Sequence, residues 1–370
     1  MRIVYFTHSL LSCWNHGNAH FLRGVLRELA ARGHDVRTFE PRDSWSIRNL
    51  AAEPGGAAAL GRFPDLFPEL RPTAYDADFD LERCVDGAGL VIVHEWNDRP
   101  LVARLGAMRK RGARFRLLFH DTHHRAVSDP QQMRAFDLTG YDGVLAFGAT
   151  LAGVYRRWGW GDRAFVWHEA ADMRLFRPQA AESARAGLVW IGNWGDGERS
   201  QELREYLLEP AAHAGLSLDI HGVRYPSQAL DTLASHGARY RGWLPNADAP
   251  SVFARHLATV HVPRRFYVEA LPGIPTIRVF EALACGIPLV SAPWRDSEDL
   301  FRPGEDFLTA ANGEAMTRHL RALMHDPALR ASLAGHGLAT IRARHTCGHR
   351  ADELLAICGR LGAEAAEVAA

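Results

Sequence analysis

Lysine is almost absent from this sequence: Lys110 is the only one among 43 basic residues, and we attribute the arginine excess to genomic composition before any function. Net charge is absent too, with 43 basic and 43 acidic residues, so no bulk polyanion such as nucleic acid is implied as a partner. Cys13, Cys84, Cys285, Cys347 and Cys358 are odd in number and too scattered for a disulfide framework or a zinc pair, which leaves reduced thiols and a cytosolic compartment as the expectation. No stretch approaches the roughly 20 consecutive apolar residues of a spanning helix. Met1-Arg2 runs straight into a short apolar strand, and His8, Ser9 and Ser12 break up the next apolar residues, so no secretory signal is expected. The composition that is present, 370 residues with 47% hydrophobic and 23% charged, suits a soluble two-domain protein.

Apolar, β-rich runs alternate with helical patterns, which predicts an α/β protein with parallel sheets covered by helices. Strands are expected at 3–6, 36–39, 90–93, 115–119, 144–147 and 165–167, then at 188–191, 218–221, 258–262 and 289–292. The loop after the first strand holds Trp14-Asn15-His16-Gly17-Asn18 and feeds a helix over 19–32 with Phe21, Val25, Leu26 and Leu29 on its apolar face. Order lapses between 41 and 80, the kind of insertion that often carries binding roles. The acidic run Asp76–Asp80 contains D-x-D but precedes a helix-like stretch, and it reads as capping charge, not as a metal site. Helices at 313–324, 327–344 and 346–361 end the chain.

Chemistry concentrates in residues 272–293. A Pro/Gly loop, 272–275, opens into a short apolar helix, 276–284, that stops at Gly286-Ile287-Pro288 before the last strand. A helix start offers unpaired N–H groups and a positive dipole end to a phosphate; Glu281, two turns on, can accept hydrogen bonds from sugar hydroxyls, and Arg278 adds a cation. An ordinary crossover helix with a solvated Glu281 is the other reading. Two expected strand ends carry titratable groups, His94-Glu95-Trp96 and His120-Asp121-Thr122-His123-His124, and ligands in open α/β sheets bind at such ends. The second could also be a bare solvated loop, or more weakly a metal site.

The run FEALACGIPLVSAP resembles the C-terminal half of the nucleotide-sugar signature of GT-B fold glycosyltransferases, E-x7-E-A-x-A-x-G-x-P. Gly273 stands where the first acid would be, as in the branch resembling spore-maturation CgeB-like proteins. Further passages occur in the family's order. HEAADMRLFRP, at 168–178, resembles the G-V-D-x-x-x-F-x-P that closes the first domain. Gly192 to Arg199 resembles G-R-x5-K, with Asn193 in place of the arginine and Arg199 on the lysine position. YRGWLP, at 240–245, resembles F-x-G-x-L, and HTCGHR, at 345–350, the H-T-x-x-x-R of the CgeB-like branch.

The resemblance implies two doubly wound, Rossmann-like domains facing across a cleft: 1–178 on the acceptor side, 187–340 binding the nucleotide sugar, a hinge at 179–186, and terminal helices, 341–370, crossing back to the first domain. It implies donor binding by Gly17, Asn18, Asn193, Arg199, Gly222, Trp243, Leu244, Gly273, Ile274, Pro275, Thr276, Arg278 and Glu281. His16 and His120 would be catalytic, brought to the sugar on closure, and Arg278 or the pair Arg264-Arg265 would replace the charge lost at Asn193. Trp45, Phe63 and Phe67 would select the acceptor or merely cover the core. The implied activity is metal-independent, retaining transfer from a UDP- or GDP-linked sugar to a glycan, lipid or protein, with no cofactor, for example in bacterial envelope or polysaccharide glycosylation. The basic stretch Arg104, Arg109, Lys110, Arg111, Arg114 and Arg116 would touch an anionic membrane at its inner face or form a solvated helix end. A sugar-nucleotide epimerase of the same fold, with Glu95 and Asp121 as its acids, and a non-catalytic sugar-nucleotide-binding protein stay open.

Overall fold

Strands buried on both faces read as near-continuous apolar runs, and the computed structural model gathers such runs into two wholly parallel sheets. It describes residues 1–15, 17–180, 184–195 and 197–369. The chain divides into two compact units, Met1–Glu169 with Cys347–Ala370, and Ala170–Thr346. Part of the expected hinge, 181–183, lies outside the described residues.

In the first unit, β1 (Arg2–Phe6), β2 (Asp35–Pro41), β3 (Thr73–Tyr75), β4 (Leu90–His94), β5 (Arg116–Asp121), β6 (Gly143–Ala146) and β7 (Ala164–Val166) lie in the order β3-β2-β1-β4-β5-β6-β7. In the second, β8 (Leu188–Ile191), β9 (Leu218–His221), β10 (Arg239–Tyr240), β11 (Ala258–His261), β12 (Leu289–Ser291) and β13 (Leu308–Thr309) lie in the order β10-β9-β8-β11-β12-β13. Each order reverses once, between β1 and β4 and between β8 and β11. Connections leaving two such neighbours part to opposite faces of the sheet, which opens a crevice at their carboxyl ends.

The insertion folds into helices Trp45–Ala52 and Phe63–Leu66, at the pieces SWSIRNL and FPDLFPEL that read as short helices, and into Gly56–Gly61 and the edge strand β3, which the sequence did not announce. Phe63 and Phe67 are core: each is 2% exposed, with the Arg23 guanidinium 5.3 and 5.0 Å from their ring centres. Trp45 stays exposed, edge-on to Trp14. Asp80 caps Leu81–Val85 by accepting from the Arg83 amide at 3.0 Å, and Asp76 pairs with Arg42. The helix Cys347–Ala369 packs on Ala19–Ala31 in the first unit, where Arg32 reaches Asp352 at 2.6 Å and the Trp167 indole donates to the Arg350 carbonyl at 2.8 Å. At the end of the helix Arg99–Lys110, Arg109 pairs with Asp142 and Lys110 donates to Thr139. Among the described residues no helix is long and apolar enough to cross a membrane.

At one edge of the second sheet, Asp219 of β9 accepts from Arg239 and Arg241 at 2.8 Å each and from His256 at 3.2 Å. Burial alone would raise its pKa, but these hydrogen bonds outweigh burial and hold the carboxyl well below its ordinary 3.8. A depressed folded-state pKa contributes stability above the unfolded value that is lost as pH falls through the folded one. We expect Asp219→Asn to cost about 1–2 kcal/mol at pH 7, the half-exposed guanidiniums being screened. Urea unfolding of both proteins should show the gap closing below pH 3.8; a gap that is absent at pH 7, or constant with pH, contradicts this role.

Candidate functional site

The crevice at the carboxyl ends of β8 and β11 is lined by cations. The loop after β8 passes Gly195, whose φ of +91° and missing Cβ let the Arg199 side chain cross it; a Cβ there would lie 2.9 Å from Arg199 Cγ. Arg199 is 9% exposed. Its Nη1 donates to the Val262 carbonyl at 2.9 Å, and its Nη2 donates to the Asn193 carbonyl and Oδ1 at 2.8 and 2.9 Å. The guanidinium lies 5.0 Å from the Trp190 ring centre, and its Nε is buried without a partner. Burial, then repulsion by Arg264, draws the Arg199 pKa down to about 10, with Arg278 adding a smaller repulsion. It remains a cation at neutral pH, and among the described residues no carboxylate bonds to it.

Asn193, on the family's arginine position, therefore orients Arg199 instead of replacing a charge. Of the cations expected to make up that charge, Arg264 follows β11, pairs with Glu198 at 3.0 Å, and donates to Asn193 Oδ1 at 3.3 Å. Arg265 points elsewhere, to Glu202 at 2.9 Å. Asp196, in the same loop, lies outside the described residues. Gly222 sits where the loops after β8 and β9 meet, since a Cβ on it would be 1.9 Å from the Gly192 carbonyl oxygen.

The helix Ile277–Ala284 starts from Thr276 in extended conformation, with no side chain capping its first amides. Before it, Gly273 has φ +93°, and a Cβ there would lie 2.2 Å from Ser297 Oγ, so this backbone does not accommodate the family's first acid. Ile274 and Pro275 are buried, which leaves their backbone as the part able to meet a ligand. Glu281 is fully buried, not solvated: its Oε1 accepts from Asn246 Nδ2 at 3.0 Å and its Oε2 is ion-paired with Arg278. Asn246 had no signal in the sequence. Trp243 and Leu244 follow β10 half-buried, and the Trp243 indole nitrogen has no partner.

At the carboxyl ends of β1, β4 and β5 the structure corrects the expected placement of two acids and a histidine. β5 runs two residues further than expected, to Asp121, so His120 and Asp121 lie within the sheet layer at 0% exposure. His120 Nδ1 meets the Tyr5 hydroxyl at 2.5 Å, its ring is enclosed by Phe21, His94 and Trp167, and burial lowers its pKa to about 3. The ring is therefore buried and neutral at pH 7. Asp121 accepts from Tyr155 at 2.7 Å, and burial, then Glu95, pushes its pKa up. Glu95 is fully buried and ion-paired with Arg125, so neither acid is presented to solvent as an epimerase would need. Asn18 is buried and donates to Thr122 at 2.8 Å, Gly17 is partly exposed beside it, and His16 lies outside the described residues.

The loop after β1 is clamped. Glu40, fully buried at the end of β2, accepts from the Leu10 and Leu11 amides at 2.6 and 3.3 Å, while Arg23 donates to the carbonyls of the same two residues at 2.8 and 3.0 Å.

Comparison with known proteins fits this geometry. Residues 199–356 match the model of a family described as glycosyl transferase-like. No curated protein matches the sequence. Among solved structures, sucrose-phosphate synthase from Thermosynechococcus elongatus aligns over 98% of this chain and 100% of its own at 16% identity, TM-score 0.67. Anabaena HepE, in complex with UDP, aligns over 97% and 100% at 13% identity, TM-score 0.69. The fold is GT-B. T4 phage BGT in complex with its UDP-glucose substrate shares that fold over 97% of this chain and 99% of its own, at 10% identity and TM-score 0.59. The GT-B architecture and the family match together support a glycosyltransferase.

Removing the Glu40 carboxylate strands the buried Leu10 amide and the partly buried Leu11 amide. We expect Glu40→Ala to lower stability by about 2–3 kcal/mol, read as a shift in urea midpoint; an unmoved midpoint would show that the clamp carries no load.

Proposed function

We propose that this protein transfers a sugar from a UDP- or GDP-linked donor to an acceptor, with the diphosphate held in the second unit and without a metal. The observation that carries the reading is Arg199, a buried cation beside Arg264 with no carboxylate bonded to it among the described residues. Burying such a charge is costly unless an anion completes the site. Asn193 and the Val262 carbonyl fix the guanidinium in place beforehand, and preorganised charge is the most effective kind at a leaving group. As the bond between sugar and diphosphate breaks, negative charge grows on the phosphate, and Arg199, Arg264, Arg278 and the amides at Thr276 and beyond stabilise it. Glu281, held by Asn246 and Arg278, is the acid expected to meet the ribose hydroxyls. Retention of configuration follows the family resemblance.

HepE in complex with UDP and T4 phage BGT in complex with UDP-glucose support the donor class. His120 takes no proton-transfer role in this reading, because its ring is enclosed and bonded to Tyr5. Arg199→Ala and Glu281→Ala should each weaken UDP or GDP binding about 10-fold or more in calorimetry, the loss expected when a charged hydrogen bond is removed. Unchanged affinity in both would refute the site. Incubation with labelled sugar nucleotides then separates the activities: slow release of free sugar marks a transferase, interconversion an epimerase, binding alone a non-catalytic protein.

A further inference from the structure

The crevice of the first unit, between β1 and β4, is finished by the aromatic member of the His94-Glu95-Trp96 strand end. Trp96 follows β4 directly and is 41% exposed, although every residue of β4 is buried. An exposed indole costs solvation, and this one is held still. The Arg125 guanidinium lies 3.8 Å from the centre of its ring, covering one face. Arg125 is itself fixed: Nε and Nη2 bond Glu95 Oε2, Nη2 also donates to the Glu95 carbonyl at 3.0 Å, and Nη1 donates to Gln132 at 2.8 Å. Behind it, Glu95 is fully buried and accepts from the Thr122 amide and hydroxyl at 3.2 and 3.3 Å. Asn97 pins the turn by donating to the Phe6 and His94 carbonyls at 2.8 and 2.9 Å. Two imidazoles lie beside the indole, His8 with its ring centre 6.1 Å away in a tilted contact and His123 at 5.3 Å in a T-shaped one. Burial, then repulsion by Arg125, lowers the His8 pKa to about 4, so its ring is neutral at pH 7 and can both donate and accept.

We infer that Trp96 is a stacking platform for the pyranose ring of a sugar acceptor. A pyranose has one face of C–H groups and a rim of hydroxyls. The C–H face packs on the electron-rich face of an aromatic ring, and the hydroxyls find His8 and His123 around it. Polar groups beside a flat apolar patch, at the topological switch point of a parallel sheet, are what a sugar needs, and a freely rotating surface tryptophan would offer none of that rigidity. This names the acceptor class for the transfer proposed above and rests on that reading.

The test uses the full chain and a mixture of methyl glucoside, methyl galactoside, maltose and cellobiose, read by saturation-transfer NMR, with UDP titrated separately by calorimetry. In the wild type the ring C–H protons of at least one sugar should saturate. Trp96→Phe should keep most of that signal, and Trp96→Leu, closer to Phe in bulk but without a π face, should lose about 5-fold. UDP affinity should stay within about 2-fold throughout, since the donor site lies in the other unit. No sugar signal in the wild type, or equal signals in the Phe and Leu variants, overturns the inference and leaves Trp96 as a cover for the Glu95–Arg125 pair. Sugar binding without UDP binding would instead sink the donor reading while leaving the platform standing.

Discussion

The second unit is organised around one awkward charge, the Arg199 guanidinium, sealed at 9% exposure among carbonyls, an amide and an indole. Every neighbouring peculiarity follows from it. Gly195 lacks a side chain so that the arginine can cross it, Asn193 turns its amide oxygen and its carbonyl towards it, and Arg264 stands close enough to lower its pKa. A fold that only needed stability would place a carboxylate there or an apolar side chain of similar volume. It does the former elsewhere: Asp219 satisfies Arg239 and Arg241, and Asp306 satisfies Arg302. The contrast between these closed pairs and Arg199 is what supports the proposal that a visiting anion completes the site.

The same topology repeated in two units explains why two kinds of chemistry can be mounted on one scaffold. Reversal of strand order opens a crevice at β1 and β4 and another at β8 and β11. The second is edged by cations and by the amides of a helix start, suited to phosphate. The first is edged by an indole and imidazoles, with its acids withdrawn into the interior: Glu95 closed on Arg125 and Asp121 on Tyr155. Loops carry the difference; both sheets are parallel and reverse their strand order once.

Much of this was legible beforehand because the physics behind it is local or strongly patterned. Four-residue apolar runs announced the central strands, and the Pro/Gly loop before Ile277–Ala284 announced the helix start and Glu281. Illegible parts had no local signal. β3, β10 and β13 have two or three residues each and owe their pairing to the sheet beside them, not to their own period. Asn246 meets Glu281 across 35 positions of sequence, which no spacing rule reaches. His120 was misplaced by a strand end: a sheet layer that extends two residues further buries the side chains a loop would have shown. Trp96 gave no signal because titratable neighbours, His94 and Glu95, mark the same strand end more strongly, yet the exposed member of the trio is the aromatic one.

A crystal structure of the full chain with UDP tests the central claim most directly. It should place phosphate oxygens within hydrogen-bond distance of the Arg199 guanidinium and close to the amides that begin Ile277–Ala284, with the ribose beside Glu281. A nucleotide found elsewhere on the chain, with Arg199 still bonded only to Asn193 and Val262, would contradict it.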